Sequence, residues 1–232
     1  MTGVNILGVR VDGLTQEATL AHMAALVDEG GFHHVVTVNP EFIMRAQWDD
    51  AFRAVLNQAD LALADGVGIL WAARWLYGPG HVPERVTGVD TVERMAALAA
   101  ERGWRLFLLG AAEGVAAQVA QVLCQRCPAL KVAGTYAGSP ADGEAEAITA
   151  RVNEARTDIL FVAYGAPVQD LWIARHRERL HVRLAMGVGG AFDFIAGSAR
   201  RAPAWMQRLG LEWFHRLIHQ PWRWRRMLAL PK

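Results

Sequence analysis

The sequence predicts an α/β fold: a mostly parallel, Rossmann-like sheet flanked by helices, followed by a basic helical appendage at the C-terminal end. Three observations lead there. Short apolar or β-branched runs alternate with longer stretches of helical spacing, the pattern of strand–helix–strand units around a parallel sheet. Runs such as 105–109 and 159–163 are apolar without alternation, as in strands covered on both faces. Near Gly197-Ser198 the composition changes abruptly, which divides the chain into a body of residues 1–197 and an appendage of residues 198–232.

Strands are expected at 34–38, 60–64, 105–109, 131–136, 159–163 and 183–188. Helices are expected at 15–27, 40–56, 68–76, 90–102, 114–126, 143–155 and 168–179, from apolar residues recurring at helical intervals. Asp90 followed by Glu93 has capping-box spacing and sets the start of the fourth of these helices.

With 53% hydrophobic and 20% charged residues among 232, the chain is a folded protein, not a disordered one. Its net charge of +1 gives no reason to expect nucleic acid as a partner. That average conceals an asymmetry. Residues 198–232 hold eight basic residues against the single acid Glu212, so the body is acidic. The appendage also carries Trp205, Trp213, Trp222 and Trp224 among its arginines, a composition suited to an anionic bilayer surface or to phosphate groups. The alternative is an ordinary helix packed on the body with tryptophan as core. An exposed tryptophan patch would serve a homo-oligomer contact equally well.

No signal peptide and no run of 18 uncharged apolar residues is found, so a cytoplasmic protein that meets the membrane only at its inner face is expected. Cys124 and Cys127 lie within a helical pattern without a second ligand pair, and read as small buried or half-buried thiols. His215 and His219 are spaced i, i+4 but lack the glutamate of a zinc helix, and there is no D-x-D pair; neither metal nor cofactor is expected.

Ligands of open parallel sheets bind beyond the carboxyl ends of the strands. Thr37 and Asn39, Asp65, Gly110, Tyr136, Gly165 and Gly187 all lie at or just beyond the ends of strand runs. Asp65 is either the cap of the next helix or a carboxylate in the cleft. Thr37 and Asn39 either face a sugar or form the turn before Pro40. The glycine-rich stretches 110–114 and 187–190 both miss the G-x-G-x-x-G spacing, which weakens a dinucleotide oxidoreductase reading. Asp193 either meets a nucleotide or caps the next segment. Gln169 lies in the first turn of a helix begun by Pro167.

These segments together resemble the WecG/TagA/CpsF family of bacterial glycosyltransferases. The resemblance rests on T-V-N-P at 37–40, L-A-D-G-V-G at 63–68, R-V-T-G-V-D at 85–90, F-L-L-G at 107–110, G-A-P-V-Q-D at 165–170 and G-V-G-G-A-F-D at 187–193. It implies transfer of an N-acetylmannosamine-type sugar from a UDP donor to an undecaprenyl-diphosphate-linked N-acetylglucosamine, for teichoic acid, enterobacterial common antigen or capsule. It implies Asp65 as general base, with Thr37, Asn39, Arg85 and Gln169 at the substrate. It places Gly110, Tyr136, Gly187 and Asp193 near the nucleotide, and Arg216, Arg223 and Arg226 on diphosphate. The family commonly has Gln-Glu where this chain has Gln169-Asp170, so Gln169 and not Asp170 is carried over. Transfer of another UDP-hexose, and a non-catalytic membrane-surface scaffold with a nucleotide cleft, are the competing readings.

Overall fold

The computed structural model describes residues 3–199, 201–203, 205–206 and 211–219, with the side chains of Arg216 and His219 left out. Its centre is a six-stranded, all-parallel sheet. In chain order the elements are β1 (Gly3–Ile6), β2 (Val9–Asp12), α1 (Gln16–Glu29), β3 (His33–Val38), α2 (Pro40–Ala46), α3 (Asp50–Gln58), β4 (Leu61–Ala64), α4 (Val67–Tyr77) and α5 (Gly88–Arg102). There follow β5 (Arg105–Gly110), α6 (Val115–Arg126), β6 (Lys131–Tyr136), α7 (Asp142–Glu154), β7 (Ile159–Ala163), α8 (Val168–His176), β8 (Leu184–Gly187), α9 (Ala191–Ile195) and α10 (Glu212–His219). The strand order across the sheet is β4-β3-β8-β7-β5-β6.

The unbroken apolar runs have the expected cause. Along β5, Leu106 and Leu108 enter a core shared with α1, α5, α6 and α9, while Phe107 and Leu109 enter another with α7 and α8. Ile159 and Phe161 alternate with Leu160 and Val162 in the same way on β7. Both faces are dry, so period-two alternation has no polar half to show. Each such fully buried side chain is worth about 1.5–3 kcal/mol relative to exposure.

Three local features depart from the sequence expectations. The first is a hairpin, β1–β2, joined through Leu7 (φ 49°) and Gly8 (φ 83°). A two-residue turn with both φ values positive normally advertises itself as Asn-Gly or Asp-Gly; leucine in the first place hides it. The hairpin covers the β4 side of the sheet, where the buried Asp12 carboxylate accepts the Ala62 N–H at 2.8 Å. That contact occupies a backbone donor which an open edge strand would leave unpaired.

Secondly, the helix expected over 40–56 is two helices. Asn39 caps α2, with Pro40 at its first position, and Asp49 caps α3 by accepting the Phe52 N–H at 3.0 Å. Thirdly, α5 begins at Gly88, two residues before the expected start at 90. Thr87 is its cap, accepting the Asp90 N–H at 3.1 Å and donating its hydroxyl to the Asp90 carboxylate at 2.7 Å. The working capping pair is therefore Thr87 with Asp90, not Asp90 with Glu93. Thr87→Ala should lower stability by about 1 kcal/mol, the ordinary worth of such a cap, as a midpoint shift in denaturant titration.

Among the described residues no helix is long and apolar enough to cross a membrane.

Candidate active site

Beyond the carboxyl ends of β4, β3, β8 and β7 lies an open cleft of about 910 Å³, counted out to its mouth. Thr37, Asn39, Asp65 and Gln169 all line it, so four residues singled out in the sequence and spread over 132 positions meet in one place.

Each is held differently. Thr37, buried at the end of β3, donates its hydroxyl to the Gly187 carbonyl at 3.3 Å and so ties β3 to β8. Asn39 spends its side-chain oxygen on the Phe42 N–H at 3.0 Å, realising the cap reading while it also stands on the cleft wall. Asp65 follows β4, its backbone N–H donating to the Val38 carbonyl at 2.8 Å. It is not a helix cap: α4 is preceded by Gly66 and has no side-chain cap. The neighbouring glycines serve packing, because a Cβ on Gly68 would lie 2.7 Å from Pro40 Cγ.

Gln169, almost fully buried in the first turn of α8, accepts the Gly165 N–H at 3.1 Å and the Gly189 N–H at 2.9 Å. One carboxamide oxygen thereby joins the loops after β7 and β8. Asp170 points into the interior instead. It is wholly buried, and its carboxylate lies 3.7 Å from Nε2 of the buried His34 on β3. Gly187 is obligatory here, because a Cβ would come within 2.3 Å of the Asp170 carboxylate and 2.6 Å of the Gln169 amide.

A chain of alternating charges borders the cleft. Asp90 receives two hydrogen bonds from the Arg201 guanidinium, at 2.6 and 2.9 Å. Arg201 Nε donates to Glu212 at 3.2 Å, and Glu212 is ion-paired with Arg85. Burial acts to raise the Asp90 pKa, but the hydrogen bonds from Arg201 and Thr87 and the nearby arginine charges lower it below the ordinary 3.8. The Arg201 pKa is raised in turn, chiefly by its bond to Asp90. A carboxylate whose folded pKa is depressed adds stability above its unfolded value and loses it as pH falls through the folded value. The Asp90–Arg201 pair therefore persists through neutral pH and breaks only in acid.

The remaining expected residues are placed less centrally. Arg85 stands behind Glu212, which itself lines the cleft. Gly110 and Tyr136 end β5 and β6, the next strands outward at the same end of the sheet, and neither lines the cleft. Gly110 has a packing reason to be glycine: its φ is 97° and a Cβ would meet the Ala163 carbonyl carbon at 2.8 Å. Tyr136 has the Arg151 guanidinium over its ring at 4.5 Å. Asp193, in α9, accepts through its carbonyl from the Ser198 hydroxyl at 3.0 Å and the Ala199 N–H at 2.9 Å, tying the residues after α9 back to it. Arg216 lies in α10; Arg223 and Arg226 fall outside the described residues. Thr87, Gly88, Arg201 and Glu212 line the cleft without having been singled out, although the threonine–aspartate spacing of 87–90 was a usable signal for the first two.

The sequence profile of the glycosyl transferase WecG/TagA/CpsF family matches residues 4–232. The chain belongs to this family. It is thus a glycosyltransferase. A Bacillus subtilis (strain 168) protein named N-acetylglucosaminyldiphosphoundecaprenol N-acetyl-beta-D-mannosaminyltransferase is 35% identical over 198 residues, covering 85% of this chain and 76% of the relative. A Staphylococcus aureus (strain MRSA252) protein of the same name is 30% identical over 230 residues, covering 98% of this chain and 89% of the relative. In this glycosyltransferase the segments 37–40, 63–68, 85–90, 165–170 and 187–193 all contribute residues to the cleft wall, and 107–110 does not.

Proposed function

We propose that this glycosyltransferase moves N-acetylmannosamine, or its uronic acid, from a UDP donor to undecaprenyl-diphosphate-linked N-acetylglucosamine, with inversion and without a metal ion. The observation that carries the reading is the position of Asp65: a strand-end carboxylate on the wall of a cleft it shares with Thr37, Asn39 and Gln169, in a chain related to enzymes named for this acceptor and sugar. The Asp65 carboxylate removes the proton from the acceptor hydroxyl as that oxygen bonds to the anomeric carbon. The bond from that carbon to the donor diphosphate breaks, and UDP leaves with the electron pair.

Thr37, Asn39 and Gln169 orient the sugar, with Arg85 joined to the cleft wall through its ion pair with Glu212. Gly110, Tyr136, Gly187 and Asp193 extend the same sheet end toward the nucleotide. Without a D-x-D pair in the sequence, charge on the leaving diphosphate falls to arginines, for which Arg216, Arg223 and Arg226 are the candidates. The exposed Trp213, Phe214 and Ile218 of α10, followed by the basic tail, suit contact with an anionic membrane surface from which the lipid-linked acceptor is taken.

The test is UDP release by the purified protein with UDP-N-acetylmannosamine and a short-chain lipid-diphosphate N-acetylglucosamine, in EDTA. Acceptor-dependent release is expected. Release that appears only when a divalent metal is restored would overturn the metal-free mechanism. No release with this donor, its uronic acid or other UDP-hexoses, with or without metal, would favour the scaffold reading.

A further inference from the structure

The Arg85–Glu212–Arg201–Asp90 chain binds both ends of one segment to one short stretch of the body. Arg201 opens the segment 201–212 and is fixed to Asp90; Glu212 closes it and is fixed to Arg85. Arg201 and Glu212 are also paired with each other, so the segment is a closed loop with both ends attached to residues 85–90. Between those ends Ala202 and Met206 are buried, while Arg201, Ala202 and Glu212 form part of the cleft wall.

The chemistry of Arg201 separates it from a phosphate-binding arginine. Its Nη1, Nη2 and Nε are all engaged by protein carboxylates, the first two in the two-point geometry that suits a guanidinium to a carboxylate. Two arginines face two acids, so these four residues offer an arriving anion no surplus positive charge. Asp90 is oriented for its role from the other side, since the Thr87 hydroxyl donates to it within the first turn of α5.

We propose that these four residues form a latch that fixes the start of the C-terminal segment against the cleft, with Arg201 a positioning residue and not a ligand for the diphosphate. The latch sets where α10 begins. Its role in turnover rests on the transferase reading above; its existence as a latch does not.

The experiment uses the full-length protein in two arms. In the first, amide hydrogen exchange is followed on peptides from residues 211–219, in wild type, Arg201→Met, Asp90→Asn and the double variant. Exchange there is expected to rise at least tenfold in each single variant, with β7 peptides unchanged, and the double variant is expected to match the singles. Wild-type exchange in Arg201→Met, or effects of the two substitutions that simply multiply, would overturn the latch. In the second arm, Arg201→Met is expected to bind UDP within twofold of wild type while acceptor-dependent turnover falls at least tenfold. A tenfold loss of UDP affinity would make Arg201 a phosphate ligand, and unchanged turnover would remove its positioning role; either contradicts the proposal. If wild type itself shows no turnover, the transferase reading fails and the exchange arm still decides the latch.

Discussion

Asp65→Asn should reduce acceptor-dependent turnover by about 10²–10⁴-fold, the usual contribution of a positioned general base. The substitution keeps side-chain size, and α4 does not use Asp65 as its cap. UDP affinity should stay near wild type, because the carboxylate acts on the acceptor hydroxyl and not on the nucleotide. A loss that appears in kcat with the acceptor KM preserved is the signature of an interaction made only in the transition state. Turnover near wild type with intact acceptor binding would remove Asp65 from the chemistry.

Gly187→Ala should be as damaging by a different route. The added methyl would stand 2.3 Å from the Asp170 carboxylate and 2.6 Å from the Gln169 amide, inside contact distance of two side chains packed against β8. Overpacking of this kind costs about 1–3 kcal/mol, which chemical denaturation would read as a lowered midpoint. The larger effect is expected on activity. Whatever displaces Gln169 also releases the Gly165 and Gly189 N–H groups that its oxygen holds, and both loops belong to the cleft. Turnover is therefore expected to fall by more than the loss of folded protein explains. Wild-type activity and stability together would mean that α8 moves aside without consequence.

Why these effects converge on a few residues follows from how the fold is encoded. Strands such as β5 and β7 were legible because a sheet dry on both faces leaves unbroken apolar runs, and the strand-end rule then pointed at Thr37, Asn39 and Asp65, with Gln169 marked instead by the helix entry at Pro167. Spacing could not separate cap from catalyst. Asn39 proved to be a cap that also lines the cleft, while Asp65 lines it without being one.

The hairpin was illegible because Leu7 occupies a positive-φ turn position where asparagine or aspartate is the usual signal. Periodicity carried the expected helix straight through Asp49, whose capping bond is a local contact that apolar spacing does not register. Arg201 looked like one more basic residue of the tail, since its pairing with Asp90, 111 positions away, exists only in the folded chain. Gly110 and Tyr136 lie one and two strands beyond the cleft, a separation set by strand order that linear spacing does not contain.

The most direct test of the central claim, single displacement at a cleft where Asp65 is the base, is the anomeric configuration of the first product. It can be read by NMR on the disaccharide released from the lipid acceptor and compared with the donor. Inversion at the anomeric carbon is the predicted result, because one attack on the face opposite the leaving UDP permits nothing else. Retention would contradict the account, since it demands either a glycosyl-enzyme intermediate or attack from the leaving-group side, and neither gives Asp65 the role assigned to it.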